Sequence, residues 1–211
     1  GLPLVVIECK DEDVSEPMSE AYTQIQRYAN RRTTDDPFAT GIEEGCERLF
    51  HTNLFSVITH GIEARCGTLS ADFDFYLNWR DIFPEEYAEG VNIEPSGRQE
   101  ILIKGMFNHE ILIDIFRNFT LFKQKDDNTI KLICRYPQYR AVGKMIEKLQ
   151  KGTDWKSRSG VIWHTQGSGK SLTMVFLVRK MRHIADLRTY KILMVVDRQD
   201  LEDQLAETAE D

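Results

Sequence analysis

The sequence predicts an α/β chain in two parts: a mixed sheet flanked by helices, then the opening strands of a parallel sheet that carries a phosphate loop. Three observations lead there. Short apolar, β-branched runs at Leu4 to Cys9, Leu54 to Thr59 and Ile62 to Leu69 read as strands, the last two joined across His60-Gly61 as a hairpin. A glycine-rich segment lies between a strand-like run, Gly160 to His164, and a helical run, Leu172 to Ile184, with Ile192 to Val196 as the next strand. Charge also reverses along the chain. Residues 1 to 130 carry 12 basic and 24 acidic groups, residues 131 to 190 carry 13 and 3, and residues 191 to 211 carry 2 and 7.

The remaining elements follow from periodicity and breakers. Ser15 to Ala29 reads as a helix, since Pro17 is tolerated only in a first turn, and Asn30 to Pro37 is a polar break. Trp79 to Tyr87 is irregular around Pro84, while Arg98 to Phe107 and Ile111 to Phe122 read as two helices or as a helix and a strand. The polar cluster Lys125-Asp126-Asp127-Asn128 marks the expected boundary, giving parts 1–125 and 126–211. Gln138 to Gln150 follows as an amphipathic helix. The basic stretch after Lys131, with Lys144, Lys148, Lys151, Lys156 and Arg158, is a candidate polyanion surface; a solvated helix face explains it as simply.

Composition narrows the classes. The 211 residues are 41% hydrophobic and 29% charged with a net charge of −7, the balance of a globular protein. No apolar run approaches the roughly 20 residues of a spanning helix, and no signal segment opens the chain, which argues against membrane and secreted classes. Cys9, Cys46, Cys66 and Cys134 are scattered without zinc-ligand spacing and read as small buried hydrophobes of a reducing, cytoplasmic protein. The chain opens on Gly1-Leu2-Pro3 without Met and enters a strand at once, so it reads as a piece of something longer.

The strongest motif is His164-Thr165-Gln166-Gly167-Ser168-Gly169-Lys170-Ser171, after a strand-like run and before a helical one. Glycines let the backbone curl so that successive N–H groups face phosphate oxygens at a helix N-terminus. Lys170 would reach the β- and γ-phosphates of ATP, and the Ser171 hydroxyl would join the Mg²⁺ shell. His164 stands where the strict pattern has its first glycine. Upstream, Arg135 could stack on adenine and Gln138 could donate to and accept from its edge; a plain helix start is the alternative there. Asp197, followed by Arg198 rather than Glu, reads as a strand-end loop near a nucleic-acid backbone rather than a metal acid.

Glu8 and Lys10 fall on one face of a strand, where a carboxylate can bind a divalent metal while a lysine positions the water that attacks a phosphodiester. Taken alone, Glu-x-Lys at a strand end is common and reads as a surface ion pair. Gln24 and Tyr28 lie one turn apart on the next helix and could meet both the metal site and DNA.

In this order the features resemble the restriction (R) subunit of type I restriction-modification enzymes: Glu8-x-Lys10, Gln24-x-x-x-Tyr28, Gly67-Thr68 with Trp79, Arg135-Tyr136-x-Gln138, Trp163 to Ser171, and Val196-Asp197-Arg198. In that family a histidine at the first position of the loop is usual. The resemblance implies a restriction-endonuclease-like mixed sheet of the PD-(D/E)xK type, followed by the start of a P-loop, RecA-like helicase domain. It implies Glu8, Lys10, Gln24 and Tyr28 as catalytic. It further implies Arg135, Gln138, Thr165, Gln166, Gly167, Ser168, Gly169, Lys170 and Ser171 at ATP, with Glu8 and Ser171 at Mg²⁺. The implied activity is ATP-driven translocation along double-stranded DNA followed by cleavage of unmodified DNA, with methylation (M) and specificity (S) subunits as partners. A further nuclease Asp, the second ATPase acid pair and the arginine finger would lie outside these residues, so the isolated piece is expected to be inactive. Two alternatives stay open: a helicase-nuclease of repair or phage defence without methylation partners, and a degenerate nuclease fold that only positions DNA.

Overall fold

The computed structural model describes residues 1–31, 45–61, 63–86, 97–125 and 128–195. β1 (Val5–Cys9) pairs in parallel with β2 (Phe55–His60), with Val5 opposite Phe55 and Cys9 opposite Thr59. β3 (Glu63–Gly67) pairs antiparallel with β2 across the expected hairpin, so the sheet is mixed, in the order β1-β2-β3. Parallel neighbours need a crossover, and α1 (Pro17–Tyr28) supplies it, packing over both strands. Pro17 starts the helix, where its missing N–H costs nothing.

β2 is buried along almost its whole length because both of its faces are covered. Ile58 packs with Met18, Ala21 and Ile25 of α1 and with Tyr76. Phe55 and Val57 point the other way into the larger core, as alternation along a strand requires. That core continues through α2 (Arg98–Lys104), α3 (His109–Asn118), α4 (Tyr136–Lys151) and α6 (Lys170–Arg182), the last entering through Phe176 and Met181. The short α5 (Trp155–Arg158) is capped by Asp154, whose carboxylate accepts from the Ser157 N–H at 2.7 Å. An aromatic cluster sits at the middle of this core. The Phe119 ring centroid lies 4.9 Å from that of Tyr139 and 5.4 Å from that of Phe176, and Trp79 lies 5.4 Å from Tyr139. Such pairs add about 0.5–1.5 kcal/mol each beyond the area they bury.

Two regions differ from the expectation. β4 (Thr120–Lys125) and β5 (Asn128–Ile133) pair antiparallel, with Lys125 and Asn128, the two ends of the polar cluster, opposite each other. The second strand was not anticipated. The strands expected at Gly160 to His164 and Ile192 to Val196 do not form within the described residues; Val196 lies outside them. Strand character at those runs depends on a ladder partner, and no described strand lies beside them. Val161, Trp163, Leu193 and Val195 are accordingly among the most exposed apolar side chains. Ile62, most of the break at Asn30 to Pro37, Tyr87, and the segment from Val196 through Asp197 and Arg198 lie outside the described residues. No helix among the described residues is long and apolar enough to cross a membrane.

Candidate functional site: a glycine loop and a strand-borne carboxylate–lysine pair

The loop from Thr165 to Gly169 leads directly into α6, which begins at Lys170. Gly167 and Gly169 have φ of +75° and +80°, left-handed conformations that only glycine adopts without strain. Gly169 is also closely approached, since a Cβ there would stand 2.6 Å from the Gln138 amide nitrogen. The loop is closed by its own bonds. Ser168 Oγ donates to the Thr165 carbonyl at 2.6 Å, and Lys170 Nζ, on an exposed side chain, donates to the same carbonyl at 3.1 Å. Thr173 Oγ1 donates to the Gly169 carbonyl at 3.1 Å.

Gln138 sits beneath this loop at the start of α4, only 2% exposed. Its Oε1 accepts from the Arg135 N–H at 2.8 Å, and its Nε2 donates to the Gly169 carbonyl at 2.9 Å. The amide expected to face a base therefore holds the loop to α4. The Arg135 guanidinium carbon lies 5.8 Å from the centroid of the Phe75 ring. Beside the loop is a cavity of about 390 Å³ reached by Phe75, Asn78, Arg135, Gln138 and Gly169. A wider cleft of about 930 Å³ is lined by Arg65, Arg80, Arg98 and Arg135 together with His164 and Ser168. Glu63 holds Arg65 there at 2.6 Å.

At the other site, Glu8 on β1 and Lys10 just past its end do share a face. Lys10 Nζ stands 3.2 Å from Glu8 Oε1, and both side chains are largely covered. The Lys10 backbone N–H continues the ladder by donating to the Thr59 carbonyl at 2.9 Å. A second carboxylate, Glu20 of α1, lies 3.2 Å from the same ammonium. Burial opposes the charge on Lys10, but the hydrogen bonds to Glu20 and Glu8 outweigh it and raise its pKa. Glu20, Gln24 and Tyr28 are spaced four apart along α1. Of these, Glu20 is the one that meets Lys10. The Gln24 carbonyl oxygen instead accepts from Arg27 Nη1 at 3.5 Å, and Tyr28 is partly exposed to solvent. Sequence reading missed Glu20, although its position four residues before Gln24 was the available signal.

Among the described residues no cluster of three or more His, Cys, Asp or Glu side chains is arranged to hold a metal. Glu8 offers one carboxylate, which is compatible with Mg²⁺, an ion that keeps several waters and takes one or two carboxylates. At the loop, the Ser171 hydroxyl, partly covered in the first turn of α6, is the side chain that could hold such an ion.

Comparison with known proteins finds two separate similarities along the chain. Residues 1–75 match the family model described as the type I restriction enzyme R protein N terminus, and residues 137–211 match that of the SWI2/SNF2 ATPase. The chain is 35% identical over 211 residues to the type I restriction enzyme HindI endonuclease subunit of Haemophilus influenzae, covering 99% of this chain and 19% of that protein. It is 26% identical to the SsaAORF53P endonuclease subunit of Staphylococcus saprophyticus and 25% identical to the SauCOLORF180P endonuclease subunit of Staphylococcus aureus. Each match covers 98% of this chain and 19% of the relative. The chain thus spans about a fifth of the length of these relatives. Joining sequence similar to the R-protein N terminus to sequence similar to a SWI2/SNF2 ATPase, the chain resembles the endonuclease subunits of type I restriction enzymes over nearly its whole length.

Proposed function

We propose that the chain carries the nuclease edge and the ATP-binding loop of an ATP-dependent, DNA-translocating restriction endonuclease. Residues 1–125 would be the restriction-endonuclease-like part and residues 126–211 the start of a RecA-like motor. The observation that carries this reading is the loop: two glycines at positive φ deliver Lys170 to the N-terminus of a helix, with Gln138 bracing the turn from below. The sequence matches to R-protein and ATPase families on either side of the β4–β5 hairpin support the division.

On this reading the loop N–H groups and Lys170 bind the triphosphate, with Thr165, Gln166, Gly167, Ser168 and Gly169 shaping the cradle and Ser171 facing Mg²⁺. Lys170 leaves the Thr165 carbonyl to do so, exchanging one exposed hydrogen bond for phosphate contacts. Gln138 acts through the loop it holds, and Arg135 lies at the base. On β1, Glu8 holds a divalent cation, which when bound supplies the Lewis acid of phosphodiester hydrolysis. Lys10, kept charged by Glu20 and Glu8, orients the attacking water, and Gln24 and Tyr28 on the same line of α1 meet the DNA backbone. The substrate is double-stranded DNA, and the partners are methylation and specificity subunits.

The experiment supplies the full-length protein with candidate methylation and specificity subunits and unmodified or modified plasmid DNA, with Mg²⁺ and ATP. Cleavage confined to unmodified DNA and dependent on both subunits is expected. Equal cleavage without them would move the protein to a helicase-nuclease that works alone.

A further inference from the structure

Lys10 stands between carboxylates from two elements. Glu8 comes from β1 itself and Glu20 from the first turn of α1, each with its Oε1 3.2 Å from the Lys10 Nζ. The backbone fixes the lysine between them, because its N–H extends the ladder to Thr59 while α1 packs on β1. The Glu8 and Lys10 side chains are 15% exposed, whereas that of Glu20 is 52% exposed. Asp11, the neighbour of Lys10 in sequence, is turned to its own loop, where a carboxylate oxygen accepts from the Asp13 N–H at 3.0 Å.

This arrangement answers a conflict at Glu8. The carboxylate read as the metal ligand is the one that pairs with Lys10, so metal and ammonium compete for it. A divalent cation, Lys10 and Glu8 together leave two net positive charges, and Glu20 removes one of them. Lys10 also has three N–H donors, so it can hold Glu20 with one and a water with another once Glu8 turns to the metal. Without Glu20 the ammonium would have Glu8 as its carboxylate and would hold it against the metal. A carboxylate in a first turn also favours the helix end, a role independent of Lys10.

We infer that Glu20 is a positioning residue of the nuclease, which takes over Lys10 when Glu8 engages the divalent cation. It thereby releases Glu8 to the metal and keeps the ammonium on the attacking water. This rests on the reading of Glu8 and Lys10 as the nuclease pair. Glu20 acts through Lys10 and touches neither metal nor DNA, which separates it from Glu8 and from Gln24 and Tyr28 farther along α1.

The test is Mn²⁺ binding to the nucleotide-free, full-length protein, followed by electron paramagnetic resonance, since Mn²⁺ takes the oxygen ligands of Mg²⁺. Wild type is compared with Glu20→Gln, Lys10→Met and the double variant. Glu20→Gln keeps the shape of a half-exposed side chain. At the site that Glu8→Gln removes, it should weaken Mn²⁺ by about tenfold, as loss of a group that supports a metal ligand from behind does. Lys10→Met should tighten Mn²⁺ by freeing Glu8, and adding Glu20→Gln to it should then cost little. With candidate methylation and specificity subunits, DNA cleavage per ATP hydrolysed should fall in Glu20→Gln. The inference is overturned if Glu20→Gln leaves Mn²⁺ affinity intact, or if it weakens Mn²⁺ as much without Lys10 as with it, which would make Glu20 a metal ligand or a helix-end charge. If Glu8→Gln removes no Mn²⁺ site, Glu8 is not the metal carboxylate and the underlying nuclease reading falls instead.

Discussion

The Gln138 amide donates to the Gly169 carbonyl at 2.9 Å, tying the first turn of α4 to the residue that immediately precedes α6. This bond accounts for the glycine. Alanine at position 169 would carry left-handed strain of about 1–2 kcal/mol and place a methyl 2.6 Å from the Gln138 nitrogen. Gly169→Ala is expected to abolish ATP binding by the full-length protein, and Gln138→Ala to weaken ATP and tripolyphosphate alike by unbracing the loop. Calorimetry distinguishes this from a base-reading role, which would spare tripolyphosphate.

A second bond joins the helices on the far side of the aromatic cluster. Asp114 on α3 accepts from Lys180 on α6 at 2.5 Å and from Asn118 Nδ2 at 2.7 Å, and the Lys180 ammonium also stands 5.3 Å from the Phe119 centroid. Both members of the ion pair are mostly covered. Asp114→Ala would leave the mostly covered Lys180 without its carboxylate, at a cost of about 2 kcal/mol. Hydrogen exchange in the full-length protein should show reduced protection confined to α3 and α6. Unchanged protection there would mean that solvent already screens the pair.

The cysteines divide by environment. Cys66 and Cys134 are buried, Cys9 and Cys46 exposed. Burial pushes the Cys66 thiol up to about 12 and raises Cys134 well above the usual range. At pH 8, a thiol reagent should modify Cys9 and Cys46 in the native protein and reach Cys66 and Cys134 only after denaturation. The sign of the linkage follows: the unfolded chain loses these protons first, so their contribution to stability is intact below about pH 8.5 and declines as pH rises from there toward about 12. Denaturant midpoints measured at rising pH should fall across that window, and a flat profile would contradict the burial.

Much of the architecture was legible because burial wrote it into the pattern. β2 is covered on both faces, and its apolar run is nearly continuous; α1 is bounded by Pro17 and carries one apolar face. β5 was missed because Asn128 to Ile133 has alternation but only partial burial, so its strand state depends on pairing with β4. The runs at Gly160 to His164 and Ile192 to Val195 failed for the complementary reason, apolar sequence with no described neighbour to complete a ladder. At the sites, spacing sufficed for Glu8 with Lys10 and for the loop, which are local. It could not reveal that Glu20 shares Lys10, or that Phe75 meets Arg135, because those contacts depend on how α1 and the β3–β4 connection pack.

The most direct measurement compares ATP hydrolysis and DNA cleavage by the full-length protein, with its candidate methylation and specificity subunits, for wild type, Lys170→Ala and Lys10→Ala. A motor that feeds a nuclease requires that Lys170→Ala abolish both activities while Lys10→Ala abolishes cleavage and leaves ATP hydrolysis intact. Cleavage that survives Lys10→Ala would show that the Glu8–Lys10–Glu20 contacts only hold β1 to α1, and would remove the nuclease assignment.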